Sequence, residues 1–193
     1  VGWARDRGTL VVSDECYLGL GWEDRPISVL HPEVSGGDHR GLLAVHSLSK
    51  SSSLAGYRAG FVAGDADLVA ELLAVRKHAG MMMPTPVQGA MVAALDDDAH
   101  ETAQRARYER RRTVLLAALR AAGFAIEHSE AGLYLWATLG EPGRDTVARL
   151  ARRGILAAPG DFYGPRGAQY VRVALTATDE RIAAAAARLA DGI

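Results

Sequence analysis

The residue that most constrains this chain is Lys50. It lies within His46-Ser47-Leu48-Ser49-Lys50-Ser51-Ser52-Ser53-Leu54-Ala55-Gly56-Tyr57-Arg58-Ala59-Gly60, directly after the apolar run Leu42-Leu43-Ala44-Val45. A serine- and glycine-rich stretch is ordinarily a flexible loop. Here the composition surrounds one lysine at the end of a short apolar segment, with an arginine beyond it. A lysine so placed among small residues is positioned to condense with a carbonyl compound, because desolvation and a neighbouring cation make its amine nucleophilic. Arg58 offers a planar fork and the serines offer short hydroxyl donors, the groups that hold a phosphate. An amine nucleophile beside a phosphate cradle points to pyridoxal 5′-phosphate (PLP).

The order of residues carries more than the composition. Ser-x-Ser-Lys, two residues, Ser-Leu, one residue, Gly, one residue, Arg-Ala-Gly resembles at every position the lysine-attachment signature of class I/II PLP-dependent aminotransferases. The resemblance implies that Lys50 holds the cofactor covalently and later moves a proton between the substrate Cα and the cofactor. Ser47 and Arg58 match the family's phosphate ligands. Ser49 and Ser53 have weaker matches. In Val12-Ser13-Asp14-Glu15-Cys16-Tyr17-Leu18, Asp14 and Tyr17 match the family's Asp-x-x-Tyr. The match implies that Asp14 faces the pyridine nitrogen and keeps it protonated, so that the ring accepts electrons. It implies that Tyr17 hydrogen-bonds the ring's phenolic oxygen. Glu15 and Cys16 match no required position and are assigned no role.

Far along the chain, Pro159-Gly160-Asp161-Phe162-Tyr163-Gly164-Pro165-Arg166-Gly167 and Tyr170-Val171-Arg172-Val173-Ala174 resemble the segment ending in the family's substrate-carboxylate arginine. Arg172 is therefore the expected substrate-binding residue, since a fork-shaped cation suits a planar carboxylate. Gly132-Leu133-Tyr134-Leu135-Trp136 resembles the strand that carries an apolar side chain over the site; core packing is the default reading for Tyr134 and Trp136.

Composition sets the remaining bounds. Apolar residues make up 49% of 193 and the formal net charge is −1, so the chain can bury a core and shows no field that would steer nucleic acid or an anionic membrane. The arginine-rich run at 105–112 reads as a solvated helix face. One cysteine excludes an internal disulfide and a cysteine-built zinc site, and a reducing cytoplasm fits. No apolar run approaches the roughly eighteen residues of a membrane span. No metal is expected.

The expected fold class is α/β: part of a PLP-dependent transferase large domain, a mostly parallel sheet with helices, over 1–110, then a small α+β domain over 111–193. Residues 1–8 read as the end of a helix. Strands are expected at 9–13 (buried and parallel), 42–46, 60–63, 124–128, 133–138 and 169–175. Helices are expected at 65–78, 85–95, 99–122, 145–153 and 179–190. The first of these places Leu68, Leu72, Leu73 and Val75 on its buried side. The three methionines at 81–83 read as core filling.

The resemblance covers nearly the whole chain but only the second half of the family's length. A preceding half is therefore expected, with the 193 residues alone inactive or poorly soluble, their sheet left with raw edges. Three runs, 12–18, 54–60 and 157–164, are similar to actinobacterial succinyldiaminopimelate aminotransferases of lysine biosynthesis. That implies amino transfer between glutamate and N-succinyl-2-amino-6-oxopimelate in a cytoplasmic homodimer. Another fold-type I aminotransferase or a β-lyase would keep the same residues. So would a non-enzymatic, aminotransferase-like regulatory domain.

Overall fold

A computed structural model describes residues 1–80 and 82–192, divided into two compact units, Val1–Gly19 with Arg25–Gln104 and Leu20–Asp24 with Arg105–Ile193.

In the first unit, α1 (Gly2–Arg5) leads through Gly8, at φ 60°, to β1 (Val11–Asp14). A long irregular stretch holds the short α2 (Pro32–Ser35); β2 (Leu42–Ser47) then runs straight into α3 (Leu48–Ser51). A 3₁₀ turn at Ala55–Tyr57 and β3 (Gly60–Gly64) follow. The three strands form one sheet in the order β1-β2-β3, with β1 parallel to β2 and β3 antiparallel to it. Leu42, Leu43, Ala44, Leu48 and Ala59 are buried. Asp65 caps α4 (Ala66–Arg76), its carboxylate accepting from the N–H groups of Asp67 and Leu68. After a break comes α5 (Thr85–Leu95), with Pro86 in its first turn.

Several expectations are corrected here. β1 starts two residues later than expected and is not buried: Val12 is 61% exposed. On α4 the expected buried side is left uncovered: Leu72, Leu73 and Val75 are exposed, Leu68 is half-buried, and no residue is fully buried. Amphipathic spacing marks a face able to pack, but no described residue of this unit covers it. Met82 is exposed and Met83 half-buried rather than filling a core; Met81 lies outside the described residues.

The division between the units falls within α6 (Asp98–Ala121), after Gln104. The second unit continues with β4 (Tyr134–Ala137), α7 (Gly143–Arg152), the two-residue β5 (Ala158–Pro159), β6 (Val171–Ala174) and α8 (Asp179–Ala190). Its antiparallel sheet has the order β4-β6-β5. Leu133, Leu135, Ala137, Val171, Val173 and Leu175 alternate along the strands onto the buried face. There they meet Leu115 and Leu119 of α6, Leu150 of α7, and Ile182 and Leu189 of α8. Period-two strands packing against helical stripes make this the larger of the molecule's cores.

Two further corrections concern this unit. The expected strand at 124–128 is a single bridge, Ala125 to Thr138, although Phe124 and Ile126 do reach the core. The arginine run is not simply a solvated face. Arg111 pairs with Asp179 at 2.5 Å, Arg112 pairs with Glu23 at 2.5 Å, and Arg105 donates to the Gly21 carbonyl. These ties fasten α6 to α8 and to the 20–24 segment.

Candidate active site

The lysine loop is held at both ends by the backbone. The N–H of Leu48 donates to the carbonyl of Ala59, and Leu48 in turn accepts from Ser52 and Leu54. Leu48 is buried, so the loop folds over an apolar anchor. Ser47 ends β2 and caps α3: its Oγ accepts from the Ser49 N–H at 3.1 Å and donates to Ser49 Oγ at 2.9 Å. Lys50 lies half-buried within α3. Arg58 follows the 3₁₀ turn, and β3 begins two residues later at Gly60. Gly60 is required, since a Cβ there would stand 2.7 Å from the His46 carbonyl.

Among the described residues, the two non-glycine residues at positive φ are Ser53 (55°) and Arg58 (54°), both in this loop. Left-handed backbone costs a side-chain-bearing residue energy, and proteins retain it where a side chain must be aimed. Arg58 is exposed, and its Nη1 donates to the Ala55 carbonyl at 3.1 Å.

Asp14 ends β1 beside this loop. Because β1 and β2 are parallel and Asp14 is level with Val45, both strands deliver their C-terminal ends to the same sheet edge. Paired residues point to one face, and successive residues alternate. Asp14, Val45 and Ser47 therefore share one face, whereas Glu15 and His46 share the other. The Asp14 Oδ1 accepts from the Cys16 N–H at 3.1 Å. A hydrogen bond from the Cys16 side chain, and then this backbone bond, hold the Asp14 carboxyl below its ordinary range, so it is ionised at neutral pH. Burial, then the bond to Asp14 and its charge, push the Cys16 thiol up to about 11. Tyr17, 39% exposed, sits in the turn that follows.

The loop and the β1 end thus bring the segments that carry Lys50, Asp14, Ser47 and Arg58 to one end of the sheet. This donor set suits a phosphorylated aldehyde with a basic ring nitrogen. Asp14, Tyr17, Ser47, Lys50 and Arg58 all belong to the first unit.

Arg172 belongs to the second unit, on the sheet face turned away from the core. It is level with Trp136 on β4 and with Ala158 on β5. Its guanidinium carbon lies 4.1 Å from the Tyr134 ring centre and 4.7 Å from that of Tyr163. Trp136 stacks on Tyr170 at 5.4 Å and meets Tyr163 edge-on at 5.7 Å. Tyr134 packs against the edge of the core and also carries the guanidinium on its ring, whereas Trp136, level with Arg172, lies outside the core. Tyr163 and Tyr170 stand in the two runs that lead to Arg172, but the sequence assigned neither of them a role. The available signal for Tyr170 was its place two residues before Arg172, which puts both side chains on one face of the strand expected there.

Comparison with known proteins agrees with this architecture. The sequence model for aminotransferase class I and II matches residues 2–189, and the chain belongs to that family. A probable aminotransferase of Mycobacterium tuberculosis, Rv1178, is 77% identical over 189 residues, covering 98% of this chain and 45% of its own length. OxyQ of Streptomyces rimosus, a 4-dedimethylamino-4-oxo-anhydrotetracycline transaminase, is 65% identical, with 98% of this chain and 53% of its own covered. The crystal structure of an aminotransferase from Neisseria meningitidis superposes with a TM-score of 0.85 at 31% identity, covering 98% of this chain and 50% of its own. The chain spans about half the length of the curated relatives it matches. Its α/β architecture is part of the PLP-dependent transferase fold, and the family implies that cofactor.

Proposed function

We propose that this chain carries the lysine-bearing part of an aminotransferase active site, one that moves an amino group between an amino acid and a 2-oxo acid. The observation that carries the reading is the delivery of Asp14 and Lys50 to one sheet edge by two adjacent parallel strands. Bound PLP supplies an electron sink for a substrate carbon that loses a proton. Lys50 holds the cofactor and moves the proton at the substrate Cα. Asp14, ionised at neutral pH, would meet the ring nitrogen of bound PLP. Ser47 and Arg58 hold the phosphate, Tyr17 donates to the ring oxygen, and Arg172 takes the substrate carboxylate.

For the substrate, the runs at 12–18, 54–60 and 157–164 favour N-succinyl-2-amino-6-oxopimelate with glutamate as donor. A second reading rests on a different observation. Tyr134 and Tyr163 lie against Arg172, and Trp136 and Tyr170 extend the same aromatic cluster; OxyQ is named for a polycyclic oxo compound. On that reading the acceptor is a ketone with a flat, fused-ring body.

The test is a panel of amino acceptors assayed with glutamate, alongside the visible absorbance of the protein. The aminotransferase reading requires a cofactor band that borohydride bleaches and that Lys50→Ala lacks, together with consumption of at least one oxo acceptor. Turnover of the succinylated oxopimelate alone supports the first substrate reading, and preference for a fused-ring ketone supports the second. A protein that binds the cofactor but transfers no amino group, or that releases pyruvate instead, overturns both.

A further inference from the structure

Glu15 is the acid that the sequence leaves without a role, yet it is 6% exposed. A buried carboxylate is costly unless its oxygens are met. Its Oε1 accepts from the Val29 N–H at 2.7 Å, while Oε2 has no hydrogen-bond partner and stands 3.3 Å from His46 Nε2. The His46 ring is itself fixed, stacked on Phe61 of β3 at 4.9 Å and 20°. The backbone N–H of Glu15 donates to the Val45 carbonyl, so the β1–β2 ladder runs directly into this pair.

The position in the sheet gives the pair its meaning. Glu15 follows Asp14 and His46 precedes Ser47, so each partner is the chain neighbour of a residue on the opposite face. Through its four anchoring groups the contact joins the end of β1, the end of β2, the start of β3 and the 25–30 segment. We infer that Glu15 and His46 form a positioning pair beneath the cofactor edge, locking the spacing between the carboxylate of Asp14 and the loop that bears Lys50. The inference rests on the cofactor reading above. Neither residue touches the cofactor; both act through the strands that carry Asp14 and Lys50.

The experiment is a double-mutant cycle in the full-length holoenzyme, with PLP as the probe. Glu15→Gln keeps the acceptor for Val29 and removes the charge; His46→Phe keeps a flat ring against Phe61 and removes the nitrogen. Apoprotein titrated with PLP by fluorescence gives the dissociation constant, and the visible band followed against pH gives a second, spectroscopic readout. Each single substitution is expected to weaken PLP retention by roughly tenfold or more and to move the pH midpoint of the band, and the double substitution to be no worse than either single. His46→Gln, which retains a donor, is expected to recover part of the loss. Should Glu15→Gln fail to fold by circular dichroism, His46→Phe and His46→Gln carry the same test. Unchanged PLP binding and an unmoved band, or losses that simply add, overturn the pair while leaving the cofactor reading intact. A wild-type protein with no cofactor band overturns the cofactor reading, and the pair falls with it.

Discussion

The guanidinium of Arg172 stands 4.1 Å from the ring centre of Tyr134, which lies two positions along the neighbouring strand from Trp136, the ladder partner of Arg172. Tyr163 reaches the same cation from the turn after β5, at 4.7 Å. A cation held against aromatic faces loses little freedom when a carboxylate arrives at its edge.

The first prediction follows from that arrangement. With Arg172 taking the substrate carboxylate as proposed, replacing Tyr163 with Leu should raise KM for that substrate by about two- to thirtyfold with kcat little changed, the range expected of one cation–π contact. Tyr163→Phe should stay close to the parent. Steady-state kinetics of the two variants side by side check the claim, and equal effects from Leu and Phe would rule it out.

Cys16 and Asp14 supply a pH prediction. With its pKa near 11 the Cys16 thiol carries almost no thiolate at neutral pH, so iodoacetamide should label it slowly and accelerate only as pH climbs toward that value. Asp14 lies below its ordinary range because of Cys16. What it contributes is therefore complete above the unfolded carboxyl value and drains away as pH falls through the lower, folded one. Cys16→Ala should move the Asp14 midpoint upward, as followed by carbon NMR of its carboxyl group.

Gly160 lies under the aromatic face. A Cβ there would come within 2.2 Å of the Gly167 carbonyl oxygen and 2.9 Å of the Trp136 ring. Gly160→Ala should push the 160–167 turn off the sheet and cost about 1–3 kcal/mol in urea unfolding, the ordinary penalty for overpacking. Tryptophan fluorescence should shift at the same time, because Trp136 borders the displaced turn.

Ser53 gives the opposite sign. Its φ of 55° lies where glycine is unstrained, so Ser53→Gly should raise stability by about 1 kcal/mol. Thermal unfolding measures this. A fall would mean that the serine hydroxyl contributes more than the backbone loses.

Much of this was readable from the chain, and the pattern of what was not is physical. Helix α5 and helix α8 emerge with the bounds expected, and Asp65 caps where a capping residue should, because capping and periodicity are local. The outward face of α4 was misassigned because spacing shows that a helix can bury a stripe, not what covers it. Residues 124–128 look like a strand, yet one bridge is all that forms; pairing depends on a partner elsewhere. The site divides in the same way. Lys50, Ser47 and Arg58 lie in one contiguous run, so their association is written along the chain. Tyr163 beside Arg172, and Glu15 beside His46, arise from register between separate segments, which no single stretch of sequence displays.

The bond from the Leu48 N–H to the Ala59 carbonyl closes residues 48–59 at their base. Lys50 therefore travels on a clasped excursion with one neck, a self-contained cassette. Variation that reshapes the ring-bearing face of the second unit can proceed without reopening that clasp, so the two surfaces are free to evolve along separate lines.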